Sequence, residues 1–183
     1  MSRIPTPASI TDAPEKSQGA LNAVKAQLGV APNMFRLIAN SPQTLDGYLG
    51  LSGALGKGAL APTTRERIAL AVAEINACNY CLSAHTYLGK TLTKLDDAEI
   101  TANRSGASND PIADAAVRFA AKLVRVRGQV SDADVTAVKA AGYTNAQILE
   151  IIAHVALNTF TNYVNEALKT DIDFPVVESR KAA

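Results

Sequence analysis

Residues 66–85 decide the fold and read ERIALAVAEINACNYCLSAH. In their first half, apolar side chains recur at helical spacing, at Ile68, Ala69, Val72 and Ile75. This spacing predicts a helix over 63–76 that buries one stripe of side chains. The second half holds both cysteines of the chain and one of its two histidines, in the order Cys78, Cys81 and His85. The stretch therefore combines a helix that is expected to lie in the core with three side chains that could form a reactive site.

The rest of the chain also favours helix. Alanine is abundant, and Leu, Lys, Glu and Gln occupy much of the long segments, which are separated by Pro, Gly and Asn/Ser clusters. These residues lose little side-chain entropy in a helix. We predict a single all-α domain over 1–183, a bundle of about eight helices with an N-terminal arm of about 1–14 and a loosely ordered tail of about 175–183. The predicted helices span 15–28, 42–57, 63–76, 79–93, 96–104, 110–127, 131–141 and 145–169.

Several helix ends carry their own signals. Thr63 or Thr64 is expected to cap the helix over 63–76, and Ser131 the helix over 131–141, because their hydroxyls can accept from free backbone N–H groups. Asp110 precedes a proline, and proline suits the first position of a helix. Helix stops are expected at five glycines, Gly29, Gly58, Gly106, Gly128 and Gly142.

Composition excludes several classes of protein. The chain has 183 residues, with 18 Lys and Arg against 17 Asp and Glu. It has no basic block of the kind that binds nucleic acid. Its apolar runs are too short to span a membrane, and prolines interrupt the N-terminus where a signal peptide would need an apolar run. We expect a cytoplasmic protein that binds neither nucleic acid nor membrane and folds without a disulfide or metal.

The two cysteines and His85 predict a redox dithiol. On a helix that begins near Asn79, positions 78, 81 and 85 lie along one face. The N-terminus of such a helix stabilises a thiolate, and a protonated His85 would add to this effect. Cys81 lies one turn from His85, so we assign Cys81 as the attacking thiolate. Cys78 then resolves the sulfenic acid on Cys81 into a disulfide.

Two other interpretations of this cluster remain. Cysteines are often small apolar fillers of a core. Cys78, Cys81 and His85 are also acceptable zinc ligands, with Glu66, Glu74 or His154 as the fourth. A structural zinc site usually has two pairs of ligands, and no second cluster is present. We therefore expect no metal and no cofactor.

Cys-x-x-Cys-x-x-x-His resembles the core of the AhpD-like alkylhydroperoxidases within the carboxymuconolactone decarboxylase superfamily, whose members are all-helical. In that group a glutamate twelve residues before the first cysteine belongs to a proton relay, and here that position is Glu66. The Ile75-Asn76 pair is also similar. Further segments look like the peroxidase-related branch, so that the resemblance runs from about residue 15 to 177: APNMFR at 31–36, NSP at 40–42, TNY at 161–163 and DIDFP at 171–175.

The resemblance implies a thiol-dependent peroxidase that reduces hydrogen or organic hydroperoxides. Cys81 would attack, Cys78 would resolve, and His85 with Glu66 would relay protons. It also implies a homo-oligomer, typically a trimer or hexamer, and an external thiol reductant such as a dihydrolipoyl or thioredoxin-like protein. The alternatives are a general thiol-disulfide oxidoreductase or redox sensor, and a non-catalytic zinc-stabilised helical oligomer. The superfamily's decarboxylases use no cysteine redox chemistry, so the dithiol argues against decarboxylation.

Spacing and resemblance disagree about the glutamate. Glu74 lies four residues before Cys78 and nearly on its face, whereas Glu66 lies about 120° round a straight helix. The resemblance favours Glu66, and a break near Asn76 would remove the angular objection. We rank Glu66 first and keep Glu74 in reserve.

A polar stripe marks the last predicted helix, at His154, Asn158, Asn162 and Asn165. Buried polar groups need partners. The stripe is either a hydrogen-bonded core histidine with asparagines facing a neighbouring chain, or a second wall of the active-site pocket that includes His154 and Asn158. Tyr80, between the cysteines, either shields the disulfide or packs.

Overall fold

The computed structural model describes residues 2–180, and within that range it contains α-helices, one short 3-10 helix and no strand. The prediction of an all-α fold is confirmed. The 3-10 helix is Ile10–Asp12, and the α-helices are α1 Glu15–Leu28, α2 Asn33–Ile38, α3 Pro42–Gly56, α4 Pro62–Ile75, α5 Asn79–Thr91, α6 Asp97–Arg104, α7 Pro111–Arg125, α8 Asp132–Ala140 and α9 Asn145–Leu168.

The predicted helix boundaries agree with the observed ones to within two residues, and one observed helix was not predicted. The missed helix, α2, has 6 residues. It fills the connection between α1 and α3, and a segment of this length is too short to display helical periodicity.

The predicted cap of α4 is wrong, because this helix begins at Pro62 with Ala61 as the N-cap. Proline suits this first position because the N–H group that it lacks would have no partner there. The other two caps are confirmed. Asp110 accepts from the backbone of the first turn of α7, and Ser131 forms a reciprocal capping box with Asp134.

Helix α4 is the centre of the fold and contacts α5, α6, α7 and α9. The sequence predicts one buried stripe on it, but burial is continuous from Ile68 to Glu74. Neighbours on several sides explain the difference, since a helix that is apolar around its circumference is stable only in a core. Each of the three apolar clusters among the described residues includes at least one residue of α4, and one of the clusters also includes both cysteines.

The chain turns sharply between α4 and α5. Asn76 caps the end of α4, and Ala77 adopts a left-handed conformation with φ of 54°. The backbone N–H of Cys78 then donates to the carbonyl of Ala73 at 3.0 Å. The result is a short connection that places Cys78 at the start of α5.

The C-terminal segment crosses the start of α5. Backbone N–H groups donate from Val177 to Ser83 Oγ at 2.9 Å and from Ser179 to Asn79 Oδ1 at 2.8 Å. The sequence predicts a loosely ordered tail, whereas these contacts hold the segment as far as Arg180; residues 181–183 and Met1 lie outside the described residues. Within 2–180, none of the helices has the length and apolar character needed to cross a membrane.

Candidate active site

Both cysteines lie at the N-terminus of α5 as free thiols. Cys78 is the N-cap, and its Sγ accepts from the backbone N–H of Cys81 at 3.3 Å. Their exposed fractions are 0% for Cys78 and 3% for Cys81. The first turn of one helix therefore holds two sulfurs side by side in the core.

The two thiols differ in acidity. Burial raises the pKa of Cys81, but the hydrogen bond from Cys78, the positive charge of His85 and the hydrogen bond from Asn165 outweigh it and lower the pKa to about 7. The pKa of Cys78 moves the other way, because its thiol donates to the Cys81 sulfur and because it is buried. The environment thus favours the thiolate on Cys81 and the protonated thiol on Cys78.

His85 pairs with Glu66 and lies close enough to Cys81 for their charges to interact. Its Nδ1 lies 2.9 Å from Oε2 of Glu66, which projects from α4. Burial lowers the pKa of His85, but the Glu66 carboxylate and the Cys81 sulfur outweigh this effect and raise it. The structure therefore brings together the four residues singled out in the sequence, Cys78, Cys81, His85 and Glu66.

Glu74, the reserve for the relay, is engaged elsewhere. Its side chain is buried, and Oε2 accepts from Arg104 Nε at 2.7 Å. Oε1 accepts from the backbone N–H of Arg180 at 2.7 Å. The structure therefore places Glu74 in a contact between α4, α6 and the C-terminal segment.

Three residues near Cys81 were not among the predicted site residues. Asn165 Nδ2 donates to Cys81 Sγ at 3.2 Å, and the Asn162 amide also lowers the pKa of this thiol. Tyr48 on α3 is close enough that Cys81 and Glu66 add to the effect of burial and raise its pKa. The polar stripe on α9 indicated that the asparagines have buried partners, but the sequence did not show that Cys81 is one of them. Nothing in the sequence indicated that Tyr48 lies near the site.

Comparisons with known proteins agree with this fold. The model of the carboxymuconolactone decarboxylase family matches residues 42–122, which contain α3 to α5 and both cysteines. An uncharacterized peroxidase-related protein from Silicibacter sp. TM1040 is 25% identical and superposes with a TM-score of 0.80, over 93% of this chain and 91% of that one. These matches support assignment of the chain to the AhpD/carboxymuconolactone decarboxylase superfamily. No curated protein sequence matches it.

Two other structural matches share the AhpD-like fold. A protein from Ralstonia eutropha JMP134, described as an alkylhydroperoxidase AhpD core and peroxidase-related, is 24% identical with a TM-score of 0.83, over 94% of this chain and 92% of that one. The debrominase Bmp8 is 21% identical with a TM-score of 0.76, over 92% of this chain and 91% of that one. AhpD-like folds therefore support more than one chemistry, and the fold alone does not decide the activity.

The other predicted pocket residues of this AhpD-like protein have different partners. Asn158 Nδ2 donates to the His154 carbonyl at 2.8 Å, within α9. Burial, followed by the charge of Arg65, lowers the pKa of His154 to about 4. Tyr80 OH accepts from the backbone N–H of Met34 at 3.1 Å and donates to Asp173 at 2.8 Å. Tyr80 therefore ties α5 to α2 and to the C-terminal segment.

The ligands of the zinc alternative lie near one another but are not arranged as a metal-binding group among the described residues. Among residues 2–180 no three His, Cys, Asp or Glu side chains form a group that could hold a metal ion. His85 directs Nδ1 to Glu66, and Glu74 is engaged by Arg104. The zinc-stabilised oligomer therefore gains no support from the geometry.

Proposed function

We propose that this protein is a thiol-dependent peroxidase that reduces hydrogen or organic hydroperoxides through Cys78 and Cys81. The observation that carries the proposal is the pairing of a Cys81 thiol of lowered pKa with a Cys78 thiol that donates to it. A sulfur that attacks peroxide must be a thiolate. The resolving sulfur must lie close to the sulfenic acid, and as it attacks it gives its proton to the hydroxide that leaves as water.

The reaction needs one proton at each of its two steps. The Cys81 thiolate attacks the terminal oxygen of ROOH, the O–O bond breaks, and the alkoxide leaves as ROH with a proton from His85. The Cys78 thiol then attacks the sulfur of the Cys81 sulfenic acid, water leaves, and the disulfide forms. An external dithiol, from a dihydrolipoyl or thioredoxin-like protein, supplies the two electrons that restore both thiols.

Glu66 serves this relay through His85. The carboxylate raises the pKa of the imidazole, so that more of it is protonated at neutral pH. An acid whose pKa is near the working pH can both give and regain a proton in each cycle. We therefore assign His85 as the proton donor and Glu66 as the residue that keeps it charged.

An apolar face on α3 and α9 supports assembly into a homo-oligomer, proposed as a trimer or hexamer. Leu51 is 43% exposed and Tyr163 64% exposed, with Ile152 and Phe160 also exposed. A Cβ added at Gly47, Gly50 or Gly53 of α3 would meet no atom within 4 Å. A surface with such small residues allows close approach of another chain. Light scattering should give a mass of three or six chains, and a monomer at micromolar concentration would contradict this part of the proposal.

A peroxide challenge tests the proposal. Reduced protein treated with one equivalent of hydrogen peroxide or an organic hydroperoxide should lose two hydrogens by intact mass, with Cys78 and Cys81 joined in the peptide map. Cys81→Ser should consume no peroxide, and Cys78→Ser should stop at a sulfenic acid that dimedone traps. Two free thiols after the challenge would contradict the proposal.

A panel of reductants separates the peroxidase from the other redox candidate. A peroxidase should turn over with dithiothreitol, and faster with its cognate dihydrolipoyl or thioredoxin system. A general thiol-disulfide oxidoreductase or redox sensor should instead exchange quickly with disulfide substrates and react slowly with peroxide. Burial of both sulfurs favours the small oxidant. Such free thiols persist in a reducing compartment, and we propose the cytoplasm.

A further inference from the structure

Two amides of α9 approach the sulfur of Cys81. Asn165 Nδ2 lies 3.2 Å from Cys81 Sγ, and both residues are buried. Asn162 is fully buried one turn earlier, and its interaction with Cys81 also lowers the pKa of the thiol. Residues three apart on a helix lie on the same face. The two carboxamides therefore lie on the side of α9 that faces the sulfur.

The orientation of Asn162 is fixed from α4. Its Oδ1 accepts a hydrogen bond of 2.8 Å from Nδ2 of Asn76, the residue that caps α4. Because the Oδ1 of Asn162 is bonded to Asn76, the NH2 group of the same side chain points away from Asn76. Within residues 2–180 this buried Nδ2 has no hydrogen-bond partner at normal length, so its interaction with Cys81 acts over a longer distance. A buried donor without a partner is costly, unless an anion or a bound oxygen atom engages it during the reaction.

We propose that Asn162 and Asn165 form a two-amide donor site that holds the Cys81 sulfur as a thiolate before attack and then engages the oxygen that the sulfur receives. Both are catalytic residues in this assignment, because Asn165 touches the sulfur and Asn162 donates to the oxygen that the sulfur receives. Asn76 is a positioning residue that acts through Asn162. The part that concerns the received oxygen rests on the proposed peroxidase function, whereas the part that concerns the thiolate does not.

Carboxamides suit this task because they donate hydrogen bonds without titrating. His85 must lose its proton to the leaving alkoxide, and its charge then no longer stabilises the site. The amides keep their donors through both steps, in a buried position where such hydrogen bonds to an anion are strong. The titratable groups that interact with the cysteine pair are His85 and Tyr80 on α5, Glu66 on α4, Tyr48 on α3 and Glu166 on α9.

The test measures the thiolate directly. Reduced wild type, Asn162→Leu, Asn165→Leu and Asn165→Asp are alkylated with iodoacetamide from pH 5 to 10, and peptide mapping assigns the label to Cys81 or Cys78. We expect Asn162→Leu and Asn165→Leu each to raise the pKa of Cys81 by about one unit for the lost donor, which lowers its alkylation rate at pH 7 about fivefold. Asn165→Asp, of nearly the same shape, should lower it further because it brings a carboxylate to the sulfur.

Controls separate this role from a structural one. Thr161→Val removes a buried hydroxyl that donates only to the Asn158 carbonyl of its own helix, and it should leave the titration of Cys81 unchanged. Asn76→Ala should reproduce the shift of Asn162→Leu, and combining the two substitutions should add nothing further. Thermal unfolding of each variant shows which titrations come from folded protein, and Asn165→Asp supplies the measurement if a leucine variant does not fold.

The outcomes are distinct from those of the peroxide challenge. If folded Asn162→Leu and Asn165→Asp titrate as wild type, the amide site is wrong, whether or not the protein reduces peroxide. If the titrations shift but wild type consumes no peroxide, the proposed function fails and the thiolate site stands. If the titrations shift and the two leucine variants still reduce peroxide more slowly than wild type at pH 9, where about nine tenths or more of Cys81 is thiolate in these proteins, the amides also act on the received oxygen. Equal peroxide rates at pH 9 would overturn that second role.

Discussion

His85 Nδ1 and Glu66 Oε2 lie 2.9 Å apart although the two residues are 19 positions apart in the chain. A continuous helix would separate them by about 28 Å along its axis. The left-handed conformation of Ala77 explains the short distance, because the chain turns there after α4 and α5 packs back against α4. The ion pair therefore depends on the turn that also places Cys78 at the N-cap of α5.

Glu66→Gln should weaken the acid and the nucleophile together. Without the carboxylate, the pKa of His85 falls, and Cys81 loses a nearby positive charge, so that its own pKa rises. We expect the rate of peroxide reduction at pH 7 to fall about tenfold to a hundredfold. Single-turnover peroxide consumption and alkylation of Cys81 against pH measure the two effects. An unchanged thiol titration would remove Glu66 from the relay.

Glu74→Gln is the matched control and carries a prediction of its own. The substitution leaves Arg104 without its carboxylate partner in a buried contact, so the free energy of unfolding should fall by about 3 kcal/mol. The titration of Cys81 should not change, because Glu74 is bonded to Arg104 and Arg180. Urea unfolding measures the loss. A shifted Cys81 titration with undiminished stability would return Glu74 to the relay.

The rate of Cys81 alkylation should rise with pH through about 7, where the structure places the thiol pKa. About a tenth of Cys81 is then thiolate one pH unit below this midpoint, and about nine tenths one unit above it. Peroxide reduction should follow the same rise, and then fall at higher pH as His85, whose pKa is raised, loses the proton that it donates. A midpoint near 9, as for an ordinary cysteine, would contradict the assignment.

His154 should make the fold sensitive to acid. Its pKa is about 4 in the folded protein against 6.5 without the fold, so the unfolded chain binds the proton first as pH falls. The contribution of His154 to the free energy of unfolding is therefore complete above about pH 6.5, decreases as the pH falls toward 4 and is constant below it. The total loss from this residue is at most about 3 kcal/mol. His154→Gln should flatten this part of the curve in urea unfolding at several pH values. An equally steep curve in the variant would assign the acid sensitivity to other groups.

The sequence predicted the long elements well because their signals are local. Pro, Gly and capping residues mark the ends of the long helices, whereas α2 is shorter than two turns and shows no period. The burial of α4 was underestimated for a different reason. Periodicity reports one apolar face, but the number of neighbours around a helix depends on tertiary packing, which no window of sequence contains.

The site was predictable only in part, and its geometry depends on one backbone angle. Spacing along a straight helix favours Glu74, and the resemblance favours Glu66. The structure pairs Glu66 with His85 because the chain turns at Ala77. This alanine has a positive φ, which the conformational preferences of alanine do not predict. The amides of Asn162 and Asn165 lie in α9, far along the chain, so their contact with Cys81 follows from packing and not from spacing.

The short turn between α4 and α5 also limits how this region can change in length. One residue inserted between Asn76 and Cys78 would have to be absorbed at that turn. If it extended either helix instead, it would rotate the following side chains by about 100° and shift them by about 1.5 Å. Such a change would separate His85 from Glu66 and turn Cys81 away from Asn165. Insertions and deletions should therefore be tolerated in the exposed loop around Gly128 long before they are tolerated between residues 66 and 85.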